Sequence, residues 1–429
     1  MKRFGFISIL VFLVATAAGS AAFATNGDNL IGIGPVSRAM GGVGIAAPQD
    51  AISAVFANPA SMCVGPYCPA TSFDFAGTLF MPHVDAEVRH DTSTAKADST
   101  SSVYAIPAIG ISTPITDKLP LWRFGIAAYG VTGLGVDYRD SDIDNASYYN
   151  FGGGATAPLV QGEYTSLQIM KFAPALGVLL TDSLSLGMAV HIDYAMLDLR
   201  SGTSPDYTAG VQLGAIFMPT NNINLGLSYT SPQEAVHDNI ALPNLESLKL
   251  ESPQQLGLGI SYDIPEAMNF LVETDVKWIN WSDASGYKDF DWEDQWVYAI
   301  GVQFEPKKNF FLRAGYNYSK NPVDTHDGFD GSFNPATGMP NSAVNVQGTM
   351  FPAYYYETFR IIGFPAVVEQ HLTFGAGYRL TEHFSMNLGY MHAFEKSISE
   401  SGTDPFGQPV TLKSTLSEDS LDFGLTWVF

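Results

Sequence analysis

The sequence predicts an all-β fold: a transmembrane antiparallel β-barrel of about 14 strands, with an N-terminal hatch plugging its lumen. Three observations predict it. Apolar residues alternate with small or polar ones up to an aromatic C-terminus, and six polar turns recur along the chain, each followed by another alternating stretch. After the first two dozen residues, no apolar run reaches the roughly 18 residues that a spanning helix needs. Composition agrees, with 46% apolar, 13% aromatic and only 15% charged residues, and 41 glycines. Such a chain has apolar surface to bury, but disperses it over short segments.

The N-terminus sets the compartment. Lys2 and Arg3 precede an apolar run from Phe4 to Ala18, and Ala22-Phe23-Ala24 supplies small residues for cleavage. Residues 1–24 are expected to be a secretory signal peptide, with the mature chain starting at Thr25. No Cys stands at the cleavage point, so a lipid anchor is not expected. Without Lys2 and Arg3, the 21 basic residues fall to 19 against 43 acidic ones, a net charge of −24. This excludes nucleic acid as a partner, since phosphate binding needs clustered Lys and Arg.

Alternation is clearest at the end of the chain, where Leu421, Phe423, Leu425, Trp427 and Phe429 interleave with Asp422, Gly424, Thr426 and Val428. Period two places these sets on opposite faces of a strand, one for lipid and one for a wetter lumen. Behind two of the turns the same pattern returns, with Leu184 to Tyr194 and Phe384 to Tyr390 as the apolar series. The six turns lie at Thr116-Asp117-Lys118, Thr181-Asp182-Ser183, Pro219-Thr220-Asn221, Asp263-Ile264-Pro265-Glu266, Pro306-Lys307-Lys308 and Thr381-Glu382-His383. With both barrel ends in the periplasm, six periplasmic turns require seven outer loops and 14 strands. The first strand is placed near Thr71 to Met81 and the last near Leu416 to Phe429. Long intervals after the first and fifth turns predict large outer loops near Thr132 to Gly162 and Lys320 to Phe364.

Residues 25–70 read as a hatch ahead of the barrel at 71–429. They contain Arg38-Ala39-Met40-Gly41-Gly42-Val43-Gly44, Asp50 and Asn58-Pro59-Ala60. Downstream stand Asp275-Val276-Lys277-Trp278-Ile279-Asn280-Trp281-Ser282, Arg313-Ala314-Gly315-Tyr316-Asn317-Tyr318, Asn321-Pro322-Val323, and Phe364-Pro365-Ala366-Val367-Val368-Glu369-Gln370-His371. This ordered set resembles the FadL/TodX family of outer-membrane transporters for long-chain fatty acids and hydrocarbons, and the resemblance runs along the whole mature chain. It implies a plug that shifts when ligand binds and a sideways exit at a kink in the third strand, for which Gly130, Gly133 and Gly135 are the candidates here. Physics supplies its own reason for a plug: a barrel this wide leaves a lumen its side chains cannot fill. Gly41, Gly42 and Gly44 let backbone pack against the wall, and Asn58-Pro59 makes a turn before the barrel starts.

The implied partners are a hydrophobic small molecule and the lipid and lipopolysaccharide of a Gram-negative outer membrane. The chain is expected to be a monomer and to need no cofactor or metal. The family's outer capture groove lies between its third and fourth outer loops, but here those loops, near 200–204 and 231–245, are short. Aromatic and Met residues of the second and sixth loops (Tyr148, Tyr149, Phe151, Met339, Met350, Phe351, Tyr354, Tyr355, Tyr356) either take over capture or cover the mouth. Glu273, Asp275, Lys277, Arg313, His371 and Arg379 fall on the inward parity of their strands. They form a polar network holding the hatch, or supply Arg313 or Arg379 to a ligand carboxylate. Cys63 and Cys68, the only cysteines, are expected to form a disulfide in an oxidising compartment. His191 and Asp193 share an inward face without a serine signature, so an enzyme is not expected. Asp140-Ser141-Asp142-Ile143-Asp144 lacks the turn Gly and distal Glu of a calcium loop and reads as a solvated loop. The alternatives to a transporter are a general porin and a structural or adhesive barrel.

Overall fold

The computed structural model describes residues 25–64, 68, 70–91, 93–116, 121–144, 159–200, 202–240 and 245–429, and the backbone alone at 149–150 and 156–157. The expected signal peptide and the turn residues Asp117 and Lys118 lie outside the described residues.

Fourteen antiparallel strands form the wall: β1 (Ser72–His90), β2 (Tyr104–Pro114), β3 (Trp122–Asp137), β4 (Tyr164–Thr181), β5 (Leu184–Asp198), β6 (Ser204–Thr220), β7 (Ile223–Thr230), β8 (Gln255–Ile264), β9 (Phe270–Ile279), β10 (Gln295–Lys307), β11 (Phe310–Ser319), β12 (Gln370–Arg379), β13 (Phe384–Thr403) and β14 (Pro409–Val428). Each pairs with its sequence neighbour, and β1 closes on β14 from Ser72↔Val428 to His90↔Val410. Closure removes the open edge that lipid cannot solvate. No described helix is long and apolar enough to cross a membrane.

The alternation does what period two requires. Leu186, Met188, Val190 and Ile192 on β5, Met386, Leu388 and Tyr390 on β13, and Leu421 and Phe423 on β14 are exposed on the outer wall, while Ser185, Ala189, Asp422 and Ser420 are buried inside. The wall is uneven in height. β1, β4, β13 and β14 run 18 to 20 residues, whereas β8, β9, β11 and β12 have 10 each. Ten residues already suffice to cross a bilayer, so the long strands rise above the outer surface. The five expected turns that lie within the described residues join consecutive strands, and the seven outer connections include two long ones at 138–163 and 320–369. The fourth, at 231–254, is longer than expected because it folds its own hairpin from Gln233–Asp238 and Ser247–Ser252.

Inside the wall lies the N-terminal segment, with α1 (Gly34–Ala39), α2 (Ala51–Ala57) and a 3-10 turn at Pro59–Cys63. Helices of six and seven residues have no stability alone, so the barrel must hold them. Ile31, Ile52, Val55 and Met62 are fully buried against it, each contributing roughly 1.5–3 kcal/mol.

Candidate functional site

The barrel grips the hatch by charge, backbone and shape. The Arg38 guanidinium meets the Asp422 carboxylate at 2.9 Å and donates to Ser420 Oγ at 2.7 Å, with Arg38 and Asp422 almost completely buried. The Gly44 and Ile45 N–H groups donate to Asp275 Oδ2 at 2.9 and 3.1 Å, and those of Ala46 and Ala47 to Glu273 Oε1 at 2.7 and 2.9 Å. Asp50 caps α2 by accepting from Ser53 N, and Asp74 of β1 accepts from Ala51 N, both at 2.7 Å. These bonds give the hatch backbone the partners that a short helix and its flanking loops cannot supply themselves.

Asn58 is a bolt. Its Nδ2 donates to Ile45 O at 2.8 Å and to Ala215 O and Leu227 O on the wall, while its Oδ1 accepts from Ala60 N. Pro59 starts the 3-10 turn, and the Ala60 carbonyl accepts from Ser185 Oγ at 2.6 Å. Gly41 and Gly42 have φ of +72° and +82°, a region other residues enter only with strain. Met40 is buried against Gly301 and Gly315 of the wall, where added Cβ atoms would come within 2.4 and 2.1 Å of Met40 backbone. Gly187, Gly214 and Gly226 meet the hatch in the same way. This inward ring of wall glycines escaped the sequence reading, although its signal, glycine recurring on the inward parity, was present.

The lumen acids thus hold the hatch, but not every predicted member joins them. Arg313 donates to Gln303 Oε1 at 2.6 Å and Asn387 Oδ1 at 2.8 Å, nearer the periplasm, and reaches the hatch only through Gln303, whose Nε2 donates to Gln49 Oε1 at 3.2 Å. His371 is fully buried, and neither ring nitrogen has a hydrogen-bond partner. Arg379 is a correction: as the last residue of β12 it leaves the lumen at the rim, exposed, with its guanidinium over the Phe311 ring at 5.6 Å. Parity gave its direction but not its depth. The expected disulfide is also absent. Cys63 and Cys68 are free thiols, Cys63 buried at the end of the 3-10 turn with Sγ 3.5 Å from Leu121 O. Burial pushes the Cys63 thiol up to about 11.

Lys277 lines a lumen cavity of about 80 Å³, together with Asn29, Tyr129, Val131, Lys171 and His191. Lys171 donates to Asp193 Oδ2 at 2.7 Å and also to Gln233 Oε1. The Tyr129 hydroxyl and Asn29 Nδ2 are buried without a protein partner. Each such group costs roughly 1–3 kcal/mol if left unpaired, so the cavity favours an occupant or solvent that can hydrogen-bond.

Beside this cavity the wall is incomplete. β2 and β3 pair only from Ala108↔Tyr129 to Pro114↔Arg123. Of the barrel strands, 104–107 share a ladder only with β1 and 130–137 only with β4; across the gap the Tyr104 hydroxyl donates to Gly135 O at 3.4 Å, and Asp137 donates from its N–H to Ser99 Oγ and accepts on its carbonyl from Thr100 N–H. The β3–β4 register shifts between Gly130 and Thr132, which makes a bulge at Val131. Pro107, which has no N–H to donate, stands at the seam. The hatch reaches this point: Leu30 N–H donates to Val131 O at 3.1 Å, and Asn29 bridges Thr132. Of the three candidate kink glycines, Gly130 is closed in by Ile106 and Gly135 by Thr165 O, but Gly133 faces open space, so nothing there demands glycine.

The aromatic and Met residues of the two long outer loops differ in exposure. Phe351, Tyr354 and Tyr356 are buried, while Met339 and Met350 are exposed; the side chains of Tyr148, Tyr149 and Phe151 lie outside the described residues.

A closed 14-strand barrel with a lipid-facing apolar band and an N-terminal segment folded inside its lumen defines an outer-membrane channel protein. The chain matches the outer membrane protein transport family (OMPP1/FadL/TodX) over residues 11–328 and belongs to it, as an outer-membrane transport protein of Gram-negative type. No curated protein matches its sequence. Among solved structures, the Pseudomonas putida toluene transporter TodX is 17% identical, covering 94% of this chain and 99% of its own, with a TM-score of 0.64. A Pseudomonas aeruginosa FadL homologue is 14% identical, covering 95% and 99%, at 0.65. The Ralstonia pickettii toluene transporter TbuX is 17% identical, covering 94% and 99%, at 0.62. At these identities the likeness shows a shared fold.

Proposed function

We propose that this protein takes up hydrophobic molecules, fatty acids or aromatic and aliphatic hydrocarbons, by passive movement through the lumen and lateral release at the β2–β3 seam. The observation that carries the reading is the unpaired seam itself, sealed from within by hatch residues 29–30 and bordered by the lumen cavity. Hydrated lipopolysaccharide, rather than the bilayer core, is the barrier to such molecules. A protein that captures them outside and releases them into lipid needs no energy beyond the gradient. A buried CH₂ contributes ~0.8 kcal/mol, so successive small apolar contacts hold a ligand without trapping it. The plug argues against a general porin, and a purely adhesive barrel has no use for a seam closed by a hatch.

The seam also supplies the test. A Cβ at Gly130 would lie 3.9 Å from Ile106 Cβ, within the ~3.5–4.5 Å that a disulfide spans. In a background lacking Cys63 and Cys68, Ile106→Cys with Gly130→Cys should block uptake of labelled toluene and oleate into cells when oxidised and restore it when reduced. Equal uptake in both states would remove the lateral route.

A further inference from the structure

The hatch begins inside the wall. Thr25 is only 7% exposed, and Asn26, Asp28 and Leu30 are buried with it. The segment is fixed on several sides: Asn26 Oδ1 accepts from Ser319 Oγ at 3.1 Å, the Asp28 carboxylate accepts from the Tyr287 hydroxyl, and Leu30 N–H donates to Val131 O. Asn26 and Asn29 exchange both backbone hydrogen bonds, at 3.2 and 3.3 Å, which sets the direction in which the chain runs from Asn26 back to Thr25.

Thr25 meets β14. Its side chain hydrogen-bonds to the Glu418 carboxylate, which is almost fully buried and whose Oε2 has no partner among the described residues. Glu418 stands on the inward face of β14 with Ser420 and Asp422, but Arg38 serves the other two, at 2.7 Å from Ser420 Oγ and 2.9 Å from Asp422 Oδ1. Across the ladder Glu418 faces Pro82 on β1 and Ala393 on β13, neither of which has a polar side-chain group. Among the described residues it forms no ion pair, and Arg38, the cation that acts on it from farther off, is already engaged. A buried carboxylate without its own partner charge is costly.

We propose that Glu418 receives the α-ammonium group of Thr25, so that removal of the leader supplies the charge that seats the start of the hatch. This rests on cleavage after Ala24, as the sequence predicts. Signal peptidase hydrolyses the Ala24–Thr25 amide: one water is consumed, Ala24 departs with the new carboxylate, and Thr25 keeps the nitrogen. That nitrogen is mostly protonated at neutral pH, since an α-amine ordinarily titrates at about 7.7–8.0. An amide N–H at residue 25 is a single neutral donor, whereas the ammonium carries a full charge and three donors. A hydrogen bond between charged groups is roughly twice as strong as a neutral one. The hydroxyl already holds residue 25 at the carboxylate, and the nitrogen is borne by the same residue. The unprocessed chain lacks the charge, so the hatch reaches its final seat only after export and cleavage.

The experiment uses the full mature chain refolded in detergent micelles, its first residue read by N-terminal sequencing and its barrel checked by heat-dependent electrophoretic migration. The readout is hydrogen exchange in residues 26–31, which reports how often the start of the hatch leaves the wall. Glu418→Gln keeps the side-chain shape and removes the charge. Acetylating the α-amine of the unfolded chain at mildly acidic pH, where lysines stay protonated, removes the charge of the other partner. Each should speed exchange about ten- to a hundredfold, as expected for loss of one hydrogen bond between charged groups, and the two together should speed it no further. Reductive dimethylation adds bulk but keeps the charge, and should leave exchange close to that of the unmodified chain. Exchange unchanged by Glu418→Gln or by acetylation, dimethylation as damaging as acetylation, or additive effects in the doubly altered chain would each overturn the proposal. A first residue other than Thr25 would overturn the cleavage site, and the proposal with it.

Discussion

Replacing Arg38 by Met tests whether the hatch is held by charge. The guanidinium contacts Asp422 at 2.9 Å and Ser420 at 2.7 Å, in a site where neither ionic partner reaches solvent. Removing the cation strands a buried carboxylate, which costs on the order of 3–5 kcal/mol. Strand pairing does not depend on Arg38, so the barrel should still insert and close. The loss falls on docking of the hatch, and ~3 kcal/mol is a shift of about a hundredfold toward the undocked state. The assay is single-channel conductance in planar bilayers, paired with sensitivity of cells to a large polar antibiotic. Both should rise. Adding Asp422→Leu removes the stranded charge and should restore much of the block, because replacing both members of a buried pair by apolar groups is close to neutral. Unchanged conductance in Arg38→Met, or a double variant that leaks more than the single one, would refute the reasoning.

Deleting Thr25 to Ala60 while keeping the first 24 residues should leave a barrel that inserts but conducts ions, read by the same bilayer assay. Gly214→Val should loosen the hatch while sparing the wall, since even a Cβ there would come within 2.0 Å of Asn58 Oδ1; proteolysis of the hatch at constant electrophoretic mobility is the measurement. In the sixth outer loop, the hydrogen bond to Glu357 at 3.0 Å raises His326 above its ordinary value of 6.5, against desolvation and the nearby Arg360, with Asp291 and Glu400 also facing the ring. A raised folded value means that this contribution is present below pH 6.5 and is lost as pH climbs through the raised value. Hydrogen exchange in residues 353–363 should therefore speed up over that window beyond its intrinsic rise, and His326→Gln should flatten the change. Alkylation of unreduced, unfolded protein should add two groups, at Cys63 and Cys68; a bonded pair would add none.

The strand count, the order of turns and loops and the lipid-facing residues were legible in the chain because each depends on neighbours two residues apart or on a local turn. Period two at Leu421 to Phe429 needs no tertiary information, and neither does a polar turn such as Thr181-Asp182-Ser183. The hatch was legible because a run such as Met40-Gly41-Gly42 has no place in a strand. Partnership was not legible. Arg38 and Asp422 lie almost the whole chain apart, Asp28 and Tyr287 more than half of it, and no local pattern states which lumen residue faces which hatch atom. Depth was equally hidden, so Arg379 shares the parity of His371 yet sits at the rim. The seam was decided only by folding: whether 104–107 meet 130–137 depends on the bulge at Val131 and on a hatch segment from the other end of the chain lying against it, and hydrogen-bond partners between strands are set by closure of the whole wall.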